Sequence, residues 1–128
     1  MAKTKEPSQR QLRVGEEIRH ILSDVFMRQD FSEKKLFDVT ITVIEVDVAP
    51  DMRNATAYVS PMGGKLSDQH VIGLLNDIAG EFNHAIARKL AMKFAPRLKF
   101  SADTRFDYAA RIDELLNKAN NKPSDSAE

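Results

Sequence analysis

The stretch LLNDIAGEFNHAIARKLAMKFAP, which runs from Leu74 to Pro96, has the pattern of one amphipathic helix with a glycine in its middle. Apolar residues at helical spacing begin just before it and continue through it: Val71, Leu75, Ile78, Phe82, Ile86 and Leu90. Their period passes Gly80 without losing phase, so the pattern predicts a helix that continues, or resumes after a kink, and is closed by Pro96. A glycine inside a helix costs about 1 kcal/mol relative to alanine, and Gly80 therefore requires an explanation.

The face of this helix opposite the apolar stripe is built mainly from small residues: Gly73, Asn76, Gly80, His84, Ala87 and Ala91. Such a face allows another backbone to approach closely. A protein backbone and a sugar-phosphate backbone fit it equally well, and the neighbouring cations Arg88, Lys89 and Lys93 favour phosphate. The other interpretation is a face that packs against another helix of the same protein.

A first helix is predicted from about residue 8 to residue 29. Ser8 is a suitable N-cap, and apolar side chains follow it at spacings of three and four: Leu12, Ile18, Ile21, Leu22, Val25 and Phe26. Arg10 and Arg13 lie near the N-terminus of this helix, where its dipole disfavours cations. Either an anionic partner or a solvated helix end explains them.

The segment FDVTITVIEVDV, residues 37–48, has the composition of a β-strand. Its apolar alternation slips by one between Val43 and Ile44, which predicts either a β-bulge or a strand covered on both faces. ATAYVS, residues 55–60, is a second strand after a turn, and the two are expected to pair antiparallel.

The segment PMGGKLSD, residues 61–68, is predicted to be a loop, in which Ser67 or Asp68 caps the helix that follows. RLKFSAD, residues 97–103, predicts a short third strand. Its inward side chains are expected to be Leu98, Phe100 and Ala102.

These elements predict an α+β fold, a single domain over residues 8–119 in the order helix, strand, strand, kinked helix, strand, with a three-stranded sheet and a short C-terminal helix. The last helix is expected from about residue 108 to residue 119. Residues 1–7 are expected to form a flexible N-terminus, and residues 120–128 a disordered tail. This order matches the type II K-homology domain, a nucleic-acid-binding module in which two helices meet at a GxxG loop that clamps a nucleotide backbone. Here a single glycine kink stands in the place of that loop.

Composition limits the classes of protein to consider. The chain has 128 residues, enough for one core, and no cysteine, which excludes disulfides and thiolate metal sites. No apolar stretch resembles a signal peptide or a membrane span, so we expect a cytoplasmic protein. The net charge is zero, yet residues 81–100 hold five cations and one anion. That cluster indicates either a phosphate-binding surface or an ordinary solvated helix face.

Candidate catalytic groups are present but lack a recognisable arrangement. The carboxylates Glu45, Asp47 and Asp51 lie near a strand end, and His20, His70 and His84 are scattered along the chain. There is no HxxxH pair, no GxSxG and no glycine-rich phosphate loop. We therefore expect no enzyme, no metal and no cofactor.

The aromatic residues argue against a second class of protein, the single-stranded RNA binders that stack bases on an aromatic platform. Tyr58 is the only aromatic residue expected to be exposed on the sheet, while Phe82, Phe94 and Phe100 are expected in the core. One exposed ring is too few for such a platform. An adaptor that binds only proteins is a further alternative, and it would bind its partner without sensitivity to salt.

The chain resembles the bacterial ribosome-binding factor A family over nearly all of residues 8–119. The resemblance rests on several segments in order: RQLRVGEEI, the long strand that ends at Asp47, ATAYVS, LLNDIAG, and PRLKFSADTRFDYAARIDELL. The last of these, residues 96–116, is the most specific. The order and spacing of the segments carry the resemblance together.

The resemblance implies a type II K-homology fold with an Ala-x-Gly kink, which falls here on Ile78, Ala79 and Gly80 with isoleucine in the place of the family's alanine. It also implies a monomeric assembly factor that binds the free 30S small ribosomal subunit and assists late processing of its 16S rRNA, notably in the cold. No membrane and no small-molecule substrate are implied. The expected RNA contacts are Arg10, Arg13, Arg88, Lys89, Lys93, Arg97 and Lys99. The alternative is a generic K-homology-type module that binds single-stranded RNA.

Overall fold

The computed structural model describes residues 6–90, 92 and 94–102, which form three α-helices, a short 3₁₀ helix and three strands. Their bounds, in chain order, are α1 Gln9–Arg28, the 3₁₀ helix Lys34–Leu36, β1 Thr40–Val48, β2 Asn54–Met62, α2 Asp68–Asp77, α3 Ala79–Lys89 and β3 Arg97–Ala102. Most of the predicted N-terminal segment, the predicted C-terminal helix and tail, and Lys93 lie outside the described residues.

Helix α1 begins at the predicted cap. The Ser8 hydroxyl accepts a hydrogen bond from the Gln11 backbone N–H at 3.1 Å, and the Gln11 side-chain oxygen accepts one from the Ser8 N–H at 2.9 Å. This reciprocal capping box satisfies two donors that the first turn would otherwise leave without partners. One residue of the predicted stripe is wrong: Leu12 is 55% exposed, and Val14 takes the buried position.

The sheet has the order β1-β2-β3, with β1 and β2 antiparallel and β2 and β3 parallel. The predicted antiparallel pair is confirmed, and its register shifts between Val43 and Glu45, which confirms the bulge rather than burial on both faces. The predicted loop starts too early, because Pro61 and Met62 still pair with β1. They lengthen β2 to nine residues.

The three helices cover one face of the sheet and enclose a single core. Phe82 of α3 lies at its centre, with its ring centroid 5.2 Å from that of Phe26 on α1 and 5.1 Å from that of Phe100 on β3. The apolar stripe from Val71 to Leu90 is buried at every position except Ile78, which is partly buried. Phe94 was predicted to join this core, but it is 75% exposed after the end of α3.

The long helix is broken at Ile78, whose backbone has φ −109° and ψ 23°. The Ile78 N–H donates to the carbonyls of both Leu74 and Leu75 at 3.2 Å, so α2 ends in a tightened turn before α3 begins. The kink was predicted in the correct place, but the non-helical residue is Ile78. Gly80 is already inside α3, where a Cβ would meet nothing within 4 Å. The third helix also ends earlier than predicted, with its C-cap at Leu90 rather than at Pro96.

Candidate nucleic-acid interface

The basic residues expected to contact RNA lie on two layers of the protein. Arg97 and Lys99 are exposed on β3, where they alternate with the buried Leu98 and Phe100. Because the buried side chains face the helices, the two cations point to the opposite face of the sheet. Neither forms an ion pair with another described residue.

Arg88 and Lys89 lie in the last turn of α3, in the helical layer. Cations at this position are favoured by the helix dipole, which supplies an explanation for them that needs no RNA. The Lys89 Nζ is 3.8 Å from the Asp24 Oδ2 of α1, so a carboxylate already offsets part of its charge. Arg88 is exposed and forms no ion pair among the described residues. Arg88 is therefore the stronger candidate of the two.

Arg10 and Arg13 are exposed on the first turns of α1. The side chain of Gln11 between them donates to the Val48 carbonyl at 2.8 Å, which fixes this end of α1 to the end of β1. The two arginines therefore lie at the end of the sheet where β1 turns into β2.

The same end of the sheet holds a cation that sequence reasoning missed. Arg53 is exposed in the turn between β1 and β2, and its carbonyl accepts a hydrogen bond from the Arg97 N–H at 2.8 Å. The structure thus gathers Arg10, Arg13, Arg53 and Arg97 at one end of the domain. The segment around Arg53 is acidic, which hid it from a count of charges along the chain.

Arg19 does not belong to this set, although it is a cation on α1. Its guanidinium forms a hydrogen-bonded ion pair with Glu16, and His20 Nε2 lies 3.3 Å from the same carboxylate. The hydrogen bond from Arg19, followed by its charge and that of His20, holds the pKa of Glu16 below its usual value, and the same hydrogen bond raises the pKa of Arg19. This local pairing leaves little charge for a distant phosphate.

The small-residue face is open to solvent. Gly73 and Gly80 are exposed, and a Cβ at either would meet nothing within 4 Å. Within the described part of the chain, no other helix packs on this face, and the interpretation as a contact with a further helix stays untested. Ala91 lies outside the described residues.

Asn76 is the exception on that face, because its side chain is hydrogen-bonded to the backbone at the outer edge of β3. It accepts a hydrogen bond from the Phe100 N–H at 2.8 Å and donates one to the Phe100 carbonyl at 3.1 Å. On the other side of the break, Asn83 Oδ1 accepts from the Leu98 N–H at 2.9 Å. The break at Ile78 therefore lets residues of two helices satisfy the backbone of one edge strand, which protects that edge from pairing with another chain.

We expect Asn76→Ala to lower the free energy of unfolding by about 2 kcal/mol, because it removes two partly buried hydrogen bonds and leaves both Phe100 backbone groups without their partner. Urea denaturation followed by circular dichroism would measure the change. Asn54→Ala, at an exposed strand residue, is the control and should change stability by less than about 0.5 kcal/mol. Equal effects for the two variants would contradict the capping role.

A groove of about 510 Å³ lies between α1 and the edge of β1, and its lining includes Ser23, Met27 and Ile41. Over the described ranges, no three His, Asp or Glu side chains are grouped so that they could hold a metal ion. Of the helices in the same ranges, none is long and apolar enough to span a membrane.

Comparison with known proteins gives a consistent result. A family model described as ribosome-binding factor A matches residues 10–116. The chain is 50% identical over 113 residues to ribosome-binding factor A of Roseobacter denitrificans, which covers 88% of this chain and 78% of that protein. It is 48% identical over 112 residues to the protein of that name from Paracoccus denitrificans, which covers 88% and 80% respectively.

Two solved structures share the fold. The crystal structure of ribosome-binding factor A from Thermus thermophilus aligns with a TM-score of 0.59 at 20% identity, over 72% of this chain and 94% of that one. A Thermus thermophilus ribosome-binding factor A model fitted into a cryo-EM map of a 30S complex aligns with a TM-score of 0.56 at 21% identity, over 70% and 90%.

Proposed function

This chain belongs to the ribosome-binding factor A family, and on that basis we propose that it binds the free 30S small ribosomal subunit and assists late maturation and processing of 16S rRNA, including at low temperature. The observation that carries the proposal is the family match over residues 10–116, which includes every described helix and strand except the first residue of α1. The related Thermus thermophilus protein in a complex with the 30S subunit supports it.

The described geometry suits a protein that works by binding. Exposed arginines at one end of the sheet, together with Lys99, provide phosphate contacts, and Arg88 and Lys89 provide a second group on the helical layer. Phosphate contacts position a protein on RNA without reading its sequence. We propose that the protein acts in the cytoplasm as a monomeric assembly factor, without a cofactor and without catalysis of its own.

The zero net charge makes local groups decisive for affinity. A strongly basic protein would be attracted to RNA by its overall field, whereas here attraction is confined to places where cations gather. Each cation that contacts a phosphate releases counterions from the RNA, so affinity should fall as salt rises. Loss of one such contact should flatten the salt dependence by about one unit.

Sedimentation with purified small subunits, large subunits and complete ribosomes across a salt series tests the proposal. Three double variants separate the surfaces: Arg10→Gln with Arg13→Gln, Arg88→Gln with Lys89→Gln, and Arg97→Gln with Lys99→Gln. The matched control is Lys34→Gln with Lys35→Gln, which removes two exposed cations from the 3₁₀ helix.

We expect selective binding to the small subunit, which at least one of the three double variants weakens by about tenfold or more while its salt slope falls by about two. The control should bind as the unmodified protein does. Lys89 should contribute less than Arg88, because Asp24 already offsets its charge. Binding to free single-stranded RNA without preference for the subunit would identify the generic K-homology-type module instead, and salt-insensitive binding would identify a protein adaptor.

A further inference from the structure

The face of the sheet that points away from the helices is uncovered among the described residues. Along β2, Ala55, Ala57 and Val59 are buried against the helices, and the side chains between them point the other way. Tyr58 is one of these and lies on the central strand, in the middle of the open face, where it is half-buried. Its hydroxyl makes no hydrogen bond to any described residue.

The β-bulge in β1 adds an apolar side chain beside this tyrosine. Because one extra residue is inserted, Ile44 and Glu45 together lie opposite Tyr58, and both are exposed. Ile44 is 40% exposed although it is a large apolar residue in a strand. The centre of the open face is therefore an aromatic and aliphatic spot.

Two cations that form no ion pair with a described residue border this spot on one side. In the register of β2 and β3, Ser101 is next to Tyr58 and Lys99 is next to Thr56, so Lys99 is diagonal to Tyr58. Arg97 lies two residues before Lys99 on the same face of β3, and therefore further from Tyr58. The hydroxyl side chains of Thr56 and Ser101 between them are small and leave room for a ligand.

Carboxylates border the spot on the other side. Glu45 and Asp47 are on β1, two strands away from β3, which corresponds to about 10 Å. The open face is neutral overall, but its charge is divided into a basic border and an acidic border. A polyanion is therefore attracted to the β3 side, where neither cation forms an ion pair with a described residue.

The outer edge of β3 is closed to a nucleic acid. Its Leu98 and Phe100 backbone groups are already bound by Asn83 and Asn76. An RNA strand that reaches Arg97 and Lys99 consequently has the open face of the sheet, and not the strand edge, as its surface.

We propose that this open face binds a single-stranded segment of RNA, with one base stacked on Tyr58 against Ile44 and the adjoining phosphates on Lys99 and Arg97. This proposal rests on the proposed function, and it adds an RNA-binding surface on the sheet, apart from the broken helix α2–α3. The basic border favours RNA over an apolar protein segment as the occupant, because Lys99 and Arg97 attract phosphates. Every base has a flat face, so the contact tolerates different sequences.

The test uses the full-length protein with purified small subunits. Tyr58→Leu removes the ring but keeps an apolar residue in the strand, and Tyr58→Phe keeps the ring as the matched control. We expect Tyr58→Leu to weaken binding about tenfold at every salt concentration, with an unchanged salt slope, because stacking releases no counterions. Tyr58→Phe should bind within about twofold of the unmodified protein.

A second measurement asks whether RNA contacts Tyr58. It uses the unmodified protein, so it does not depend on the folding of a variant. Small subunits with the bound protein would be irradiated with short-wavelength ultraviolet light, which excites all four bases, and the adduct mapped by mass spectrometry. An adduct at Tyr58 supports the proposal. Binding by Tyr58→Leu as tight as that of the unmodified protein, or the absence of RNA adducts at Tyr58, overturns it. If the unmodified protein does not bind small subunits at all, the proposed function itself fails.

Discussion

Replacing Phe82 with alanine is expected to lower the free energy of unfolding by about 4 kcal/mol, a large share of the stability of a domain this size. The Phe82 side chain is 1% exposed and contacts three other rings. It connects α3 to α1 and to β3, so the cavity left by its removal cannot be closed by moving one element alone. The lost apolar burial and the cavity therefore add together.

Equilibrium denaturation in urea, followed by circular dichroism, would measure this loss. Phe94→Ala provides the matched control because it removes the same ring from a position that is 75% exposed. We expect the control to change stability by less than about 0.5 kcal/mol. A small effect of Phe82→Ala would mean that the helical layer is not held to the sheet by this cluster.

Replacing Gly15 with valine is expected to cost about 3 kcal/mol, the second largest effect. A Cβ at this position would lie 2.5 Å from the carbonyl oxygen of Val46, which is backbone in β1 and cannot rotate away. Gly15 therefore sets how closely α1 lies on the sheet. Insertion of a side chain would move the whole helix, including the Gln11 contact that fixes its first turn to β1.

Gly73→Val is the matched control, because it makes the same substitution within helix α2 where a Cβ would meet nothing within 4 Å. The difference in helix propensity between glycine and valine is common to both variants, so the difference between them isolates the clash. Thermal and urea unfolding of the pair would measure it. Equal stability of the two variants would show that α1 can move away from β1 without loss.

Local patterns in the sequence were sufficient for the existence of the α-helices and strands that the structure describes, although not for all of their bounds. Ser8 as a cap, the bulge after Val43, the antiparallel pair and the long apolar stripe all follow from side-chain spacing, which the backbone geometry of helices and strands imposes directly. The position of the kink was also predictable, because a glycine and the family resemblance both marked it. The residue that forms the break was not predictable, because the non-helical backbone of Ile78 depends on how α2 and α3 pack on the sheet.

The candidate site was predictable only as a list of cations. Charge along the chain singled out Arg88 and Lys89 as well as Arg97 and Lys99, but it could not separate the helical layer from the open face of the sheet. Arg53 was missed, since the segment before it holds Asp47 and Asp51 while its neighbour in space is Arg97. Such proximity is produced by strand pairing between distant segments, which no local pattern contains.

The sequence by itself determined the family, the α+β class and the inward residues of most elements, because these depend on periodicity and on the identity of ordered segments. The tertiary structure alone decided which faces remain open. It turned Asn76 and Asn83 from a helix surface onto the edge of β3, brought α1 against β1 at Gly15, and placed Tyr58 on the face of the sheet that no described helix covers. Each of these depends on contacts between residues far apart in the chain, whose geometry is fixed only when helices and sheet pack together.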